Sequence, residues 1–182
     1  MKSLLPTIEK KQEELKNSRF LKWVGDESFD LEERLSHVPL MSFFVFGFQD
    51  ILRHVKVKVP KNSLEVALVQ HCEEDATHWK WFLGDLERLG FFQTKGDFEN
   101  TIKPLFMSQF GEKRFEVRDM IYTCMYYIKS SEDPLVHLVL IEILEAAFGA
   151  YAAPMQRLVT QTGVYEELEY FGRKHVVAEE SH

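Results

Sequence analysis

The stretch NSLEVALVQHCEEDATHWKWFLGDLERLG, residues 62–90, decides the fold. Its apolar positions recur at helical rather than strand spacing, Asn62 or Ser63 stands where a helix begins, and Gly90 stands where one ends. The spacing predicts one long helix over 62–90. Along it His71, Asp75, His78, Phe82 and Leu89 pass from polar to apolar on one face, as in a helix whose polar part lines a site within an apolar core. His71, Glu74 and His78 are spaced i, i+3, i+7, so they project within about 60° of one another, with Asp75 beside them.

The rest of the chain reads the same way. No segment alternates convincingly with period two, and the class predicted is all-α, a compact multi-helix bundle. A first helix is expected from about Pro6 to Val24, and Asp30 can cap a short segment through Arg34. Pro39 opens an aromatic-rich helix carrying Phe43, Phe44, Phe46 and Phe48. Further helices are expected from about Glu112 to Ser130 and from Pro134 to Gln161, the last stopped by Gly163. At 182 residues the chain suits a single domain, residues 1–182.

A second polar stripe lies near the other end. His175, Glu179 and His182 are spaced i, i+4, i+7 and share one helical face. Between the two stripes Glu145 sits in the apolar stretch Leu140–Ala153, where an ionised carboxylate is costly without a cation or hydrogen-bond partners; Glu142, one turn earlier, is the alternative. Two His/carboxylate stripes predict a metal site inside a helical bundle, with ligands on facing helices. His37, His54 and His137 have no comparable partners and read as structural. Tyr122, Tyr126, Tyr127 and Tyr151 are candidates to line a pocket, although aromatic spacing of this kind is more often plain core.

Composition narrows the function classes. A net charge of −7 argues against nucleic acid, whose phosphates need a basic surface. The apolar run Pro39–Phe48 is too short to cross a bilayer, and no secretory h-region precedes Glu9, so no membrane partner is expected. Cys72 and Cys124 are isolated, which fits free thiols and a cytoplasmic location. Imidazole and carboxylate ligands suit Fe(II), with Mn(II) or Zn(II) as substitutes.

Three stretches resemble the heme-oxygenase-like helical superfamily, and within it the iron-containing branch of diiron oxidases and oxygenases. They are HCEEDATHWKWFLGDLERLG (71–90), ILEAAFGAY (143–151) and YFGRKHVVAEESH (170–182), the last similar to a His-x3-Asp-x2-His signature. Carried over, the resemblance implies a heme-oxygenase-like (TenA-like) fold and metal ligation by His78, Glu145, His175, Glu179 and His182. A further carboxylate from the long helix completes the set, for which Glu74 is the choice over Asp75. His71 stands where some members have a Glu, and Glu179 replaces the usual Asp. The implied activity is that of a non-heme di-metal oxidoreductase, with two irons per chain, acting on a small-molecule substrate with O₂. A homo-oligomer is compatible with it.

Three other readings compete. A cofactorless thiaminase-like hydrolase of the same fold needs a nucleophilic cysteine, for which Cys72 and Cys124 are available. A heme-degrading enzyme needs a proximal histidine near the N-terminus, where only His37 comes close. A non-catalytic helical interaction protein needs no metal.

Overall fold

The computed structural model describes residues 4–55, 57–91 and 113–179, except for the side chains of residues 113, 114 and 179. Among these the chain is all-α, without a strand. Its helices are α1 (Leu5–Lys16), α2 (Arg19–Gly25), α3 (Leu31–Leu35), α4 (Met41–Val55), α5 (Ser63–Asp75), α6 (His78–Arg88), α7 (Lys113–Ser130), α8 (Pro134–Thr160) and α9 (Arg173–Glu179). One 3₁₀ turn, Val38–Leu40, leads into α4, and another, Tyr165–Glu167, follows α8.

Local chemistry accounts for several boundaries. Asn62 caps α5 by accepting a hydrogen bond from the Glu65 backbone N–H at 2.9 Å, and Asp133 caps α8 through Leu135 at 2.9 Å, with Pro134 in the first turn. Gly90 and Gly163 close their helices in left-handed geometry, φ 85° and 78°. The helix expected over Pro6–Val24 is two helices. It ends at Lys16 and restarts after Ser18, whose hydroxyl accepts from the Leu21 backbone N–H at 3.2 Å.

The expected long helix over 62–90 is also broken, at Ala76–Thr77, between α5 and α6. No proline or glycine is present there, and the cause is tertiary packing. α5 sends Leu68 and Cys72 into one apolar cluster with Ile51, Leu52, Ile121, Ile141 and Leu144. α6 sends Phe82 and Leu86 into another with Val24, Val38, Met155 and Leu158. Bending the axis lets each half bury its own apolar face, which outweighs a few opened backbone bonds.

α8 is the central element, packing against α1, α2, α3, α5 and α7, while α4 packs on α5, α6 and α7. Two stretches, 31–55 and 134–160, are long and apolar enough to cross a membrane by length and composition. The first is interrupted by the 3₁₀ turn, and the second is α8 itself. α8 contributes Ile141 and Leu144 to one cluster and Ala150, Tyr151, Met155 and Leu158 to the other. Glu145 falls between the two groups, level with the α5–α6 break.

Candidate metal centre

The residues at the break are buried and polar. Asp75, the last residue of α5, has a fully buried side chain whose two oxygens face two histidines. Oδ2 lies 2.9 Å from His71 Nε2, one turn earlier, and Oδ1 lies 3.5 Å from His78 Nδ1, at the start of α6. In an unbroken helix both histidines would share one stripe. Asp75, at the end of α5, stands between them. From α8, Glu145 Oε1 comes within 3.7 Å of His71 Nε2. One atom each from His71, Asp75 and Glu145 can be chosen so that all lie within 4.8 Å of one another, which makes the group able to hold a metal ion.

The donor set fits a small divalent cation. Neighbouring donors around a cation bound at about 2.1 Å stand about 3 Å apart and opposite ones about 4 Å, the range seen here. Neither buried oxygen of Asp75 has a hydrogen-bond donor in line with it among the described residues, so its contacts are ion-pair contacts. A buried carboxylate in that condition calls for positive charge. Without a metal that charge is a proton on His71. Burial opposes the imidazolium, but the close contacts and negative charge of Asp75 and Glu145 together outweigh it and push the ring up to about 10.

His175, at the start of α9, brings a third ring to the cluster. It is buried, its centroid is 4.5 Å from that of His78, and Trp81 stacks on His78, also at 4.5 Å. Its Nδ1 lies 3.0 Å from the Tyr170 carbonyl, which can only accept. Nδ1 therefore carries a proton. Tyr170 and Phe148 close around the ring, each with its centroid 4.5 Å away.

Two cavities meet at this point, sharing Glu145 and Phe148. The smaller, about 20 Å³, is bounded by Asp75, His78, Glu145 and His175 and has room for one water or ion. The larger, about 720 Å³, opens to solvent between α5 and α8 past His71, Glu74 and Glu142, within the range of small-molecule sites.

The candidates drawn from the sequence are thus distributed unevenly. His71, His78, Glu145 and His175 converge with Asp75. Glu74, preferred over Asp75 on resemblance, is exposed, accepts from the Gln70 amide at 3.1 Å and lines the large cavity; Glu142 is exposed on the same wall. The Glu179 side chain and all of His182 lie outside the described residues. Tyr122, Tyr126 and Tyr127 are exposed on α7 instead of lining the pocket, and Tyr151 is buried with its hydroxyl 2.7 Å from His37 Nε2.

A residue the sequence reading passed over completes the surroundings. Asp85 on α6 is wholly buried and accepts hydrogen bonds from three successive backbone N–H groups, those of Glu169, Tyr170 and Phe171, each at 2.9 Å. Burial pushes its carboxyl up, and the three donors with Arg88 at 3.3 Å pull it down. The signal was present in the sequence: a carboxylate three residues after Phe82 and four before Leu89, on an apolar face.

No protein-family model matches this chain, and a comparison with curated proteins finds no match either.

Proposed function

We propose that the chain is a non-heme, iron-dependent oxidoreductase that uses O₂ on a small molecule held in the cavity between α5 and α8. The observation that carries this reading is the placement of Asp75, a buried carboxylate whose two oxygens face histidines on two helices. His71, Asp75 and Glu145 would hold one cation, and His78 and His175, with Asp75, would hold a second. When bound, the irons supply the electrons that reduce O₂.

The protein's own contribution is the enclosure. Trp81, Phe148 and Tyr170 keep bulk water from His78 and His175, and the Tyr170 carbonyl holds the His175 proton on Nδ1. Glu145 and Phe148 form the wall shared by the two cavities, so a substrate in the larger one lies against the centre. The apolar side of that cavity, with Leu138, Ala152 and Val176, favours a ligand with an apolar portion, while Gln70, Glu74 and Glu142 give it a polar edge.

The competing readings find less support. Cys72 and Cys124 are buried, and burial pushes the Cys124 thiol up, the wrong direction for a nucleophile. His37 has both ring nitrogens engaged, Nδ1 at 2.6 Å from the Arg34 carbonyl and Nε2 on Tyr151, which leaves none for a heme iron. An interaction protein has no use for a buried cluster of three histidines and two carboxylates.

The test is anaerobic loading with Fe(II), elemental analysis, and O₂ uptake on reduction across a panel of amphipathic metabolites. The reading expects one to two irons per chain and O₂ consumption faster than that of free Fe(II). Absence of bound iron, or uptake no faster than free Fe(II) across the panel, overturns it.

A further inference from the structure

Asp85 never touches either cavity, yet the contacts that leave it end at the metal centre. Its Oδ1 accepts from Glu169 N–H and its Oδ2 from both Tyr170 and Phe171 N–H, so three consecutive peptide groups are pinned to one carboxylate. Fixing the orientation of these peptides fixes the direction of their carbonyls. The Tyr170 carbonyl points at His175 Nδ1, 3.0 Å away, and the Glu169 carbonyl takes the His175 backbone N–H at 3.2 Å. The turn between them is tight. A Cβ on Gly172 would overlap the Leu168 carbonyl oxygen, so only glycine fits this close approach.

We propose that Asp85 is a positioning residue for His175: through the 169–171 backbone it selects the Nδ1–H tautomer and fixes the ring where it lines the small cavity. A carbonyl that faces Nδ1 requires a proton there, and among the neutral forms of the ring this selects the Nδ1–H tautomer. A buried carboxylate is a costly way to hold a turn, since an apolar filler with water-exposed N–H groups would tie the chain down with less desolvation. What a carboxylate adds is the common direction of three donors. The tautomer claim stands on geometry alone, and only its consequence for cation binding rests on the function proposed above.

The experiment reads both separately. Protein labelled with ¹⁵N-histidine and kept metal-free gives the His175 tautomer from its ring nitrogen shifts, and Co(II) titration gives the affinity of the centre. The parent is expected to hold His175 as the Nδ1–H tautomer. Asp85→Asn, which cannot accept from all three donors, is expected to mix the tautomers and to weaken Co(II) binding about ten- to a hundredfold. Leu158→Ala, a core truncation on α8, serves as the destabilised control and is expected to leave tautomer and affinity within about twofold of the parent. If Asp85→Asn does not fold, Asp85→Glu, which displaces the carboxylate by one methylene, is judged by the same two readouts. A parent His175 protonated on Nε2, a variant with an unmixed Nδ1–H tautomer, or equal losses in Leu158→Ala overturns the proposal. A tautomer shift in a protein that binds no Co(II) upholds the positioning role and rejects the metal reading.

Discussion

The Asp75 carboxylate lies 2.9 Å from the His71 ring nitrogen one turn before it, inside a site where the Asp75 side chain has no exposed surface. Charge enclosed this way is expensive unless compensated, so the pair should control cation binding more strongly than any other contact.

Replacing Asp75 with Ala is expected to lower Fe(II) or Co(II) affinity by at least a hundredfold, because it removes the carboxylate that faces both His71 and His78. The helical circular dichroism signal should persist, since Asp75 belongs to neither apolar cluster that packs α5 and α6. Metal titration with the spectrum recorded alongside checks both.

Gly172→Ala is expected to destabilise the turn that carries His175 by about 1–3 kcal/mol, because the added methyl overlaps the Leu168 carbonyl. Urea unfolding measures the loss. Metal affinity should fall with it, whereas an equally destabilising change in α1 should spare the centre.

Stability should fall in mild acid through His37. Burial pushes this ring down to about 4 from the ordinary 6.5, so the unfolded chain takes up the proton first. The contribution is present above pH 6.5, is lost as pH falls from 6.5 to 4, and reaches roughly 3 kcal/mol. Urea unfolding at pH 7 and pH 4.5 should show a smaller difference in His37→Gln than in the parent.

His137 offers a contrast. Its Nε2 lies 2.7 Å from the Ser131 carbonyl and 3.1 Å from that of Ile128, tying the end of α7 to α8 away from the centre. His137→Ala is expected to cost about 1–2 kcal/mol in chemical denaturation and to leave metal stoichiometry unchanged.

Helical periodicity and cap residues made the class and most helix ends legible, since both are local: Asn62, Asp133 and Gly163 act on their own neighbours. The break at Ala76–Thr77 was not legible, because the two apolar clusters that cause it are drawn from helices far apart in sequence. The bend does not decide between Glu74 and Asp75, since both precede it on α5: Asp75 shares the buried face of Leu68 and Cys72, and Glu74 lies at the cavity edge. Glu145 was legible as a carboxylate in an apolar run. Asp85 carried the same mark and was passed over, because its partners are backbone N–H groups and the identities of Glu169, Tyr170 and Phe171 do not announce them.

The polar cluster lies where the two apolar clusters meet, with Leu68 and Cys72 on one side and Phe82 and Leu86 on the other. That location bears on cooperativity. The two half-cores share the backbones of α4 and α8, while the groups between them repel or attract according to charge instead of packing. A cation drawn into that layer would tie α5, α6, α8 and α9 together and make the halves melt as one unit. Stripped of it, the chain should unfold over a broader range, with the half around Leu158 and that around Ile141 losing structure at separate temperatures in a calorimeter.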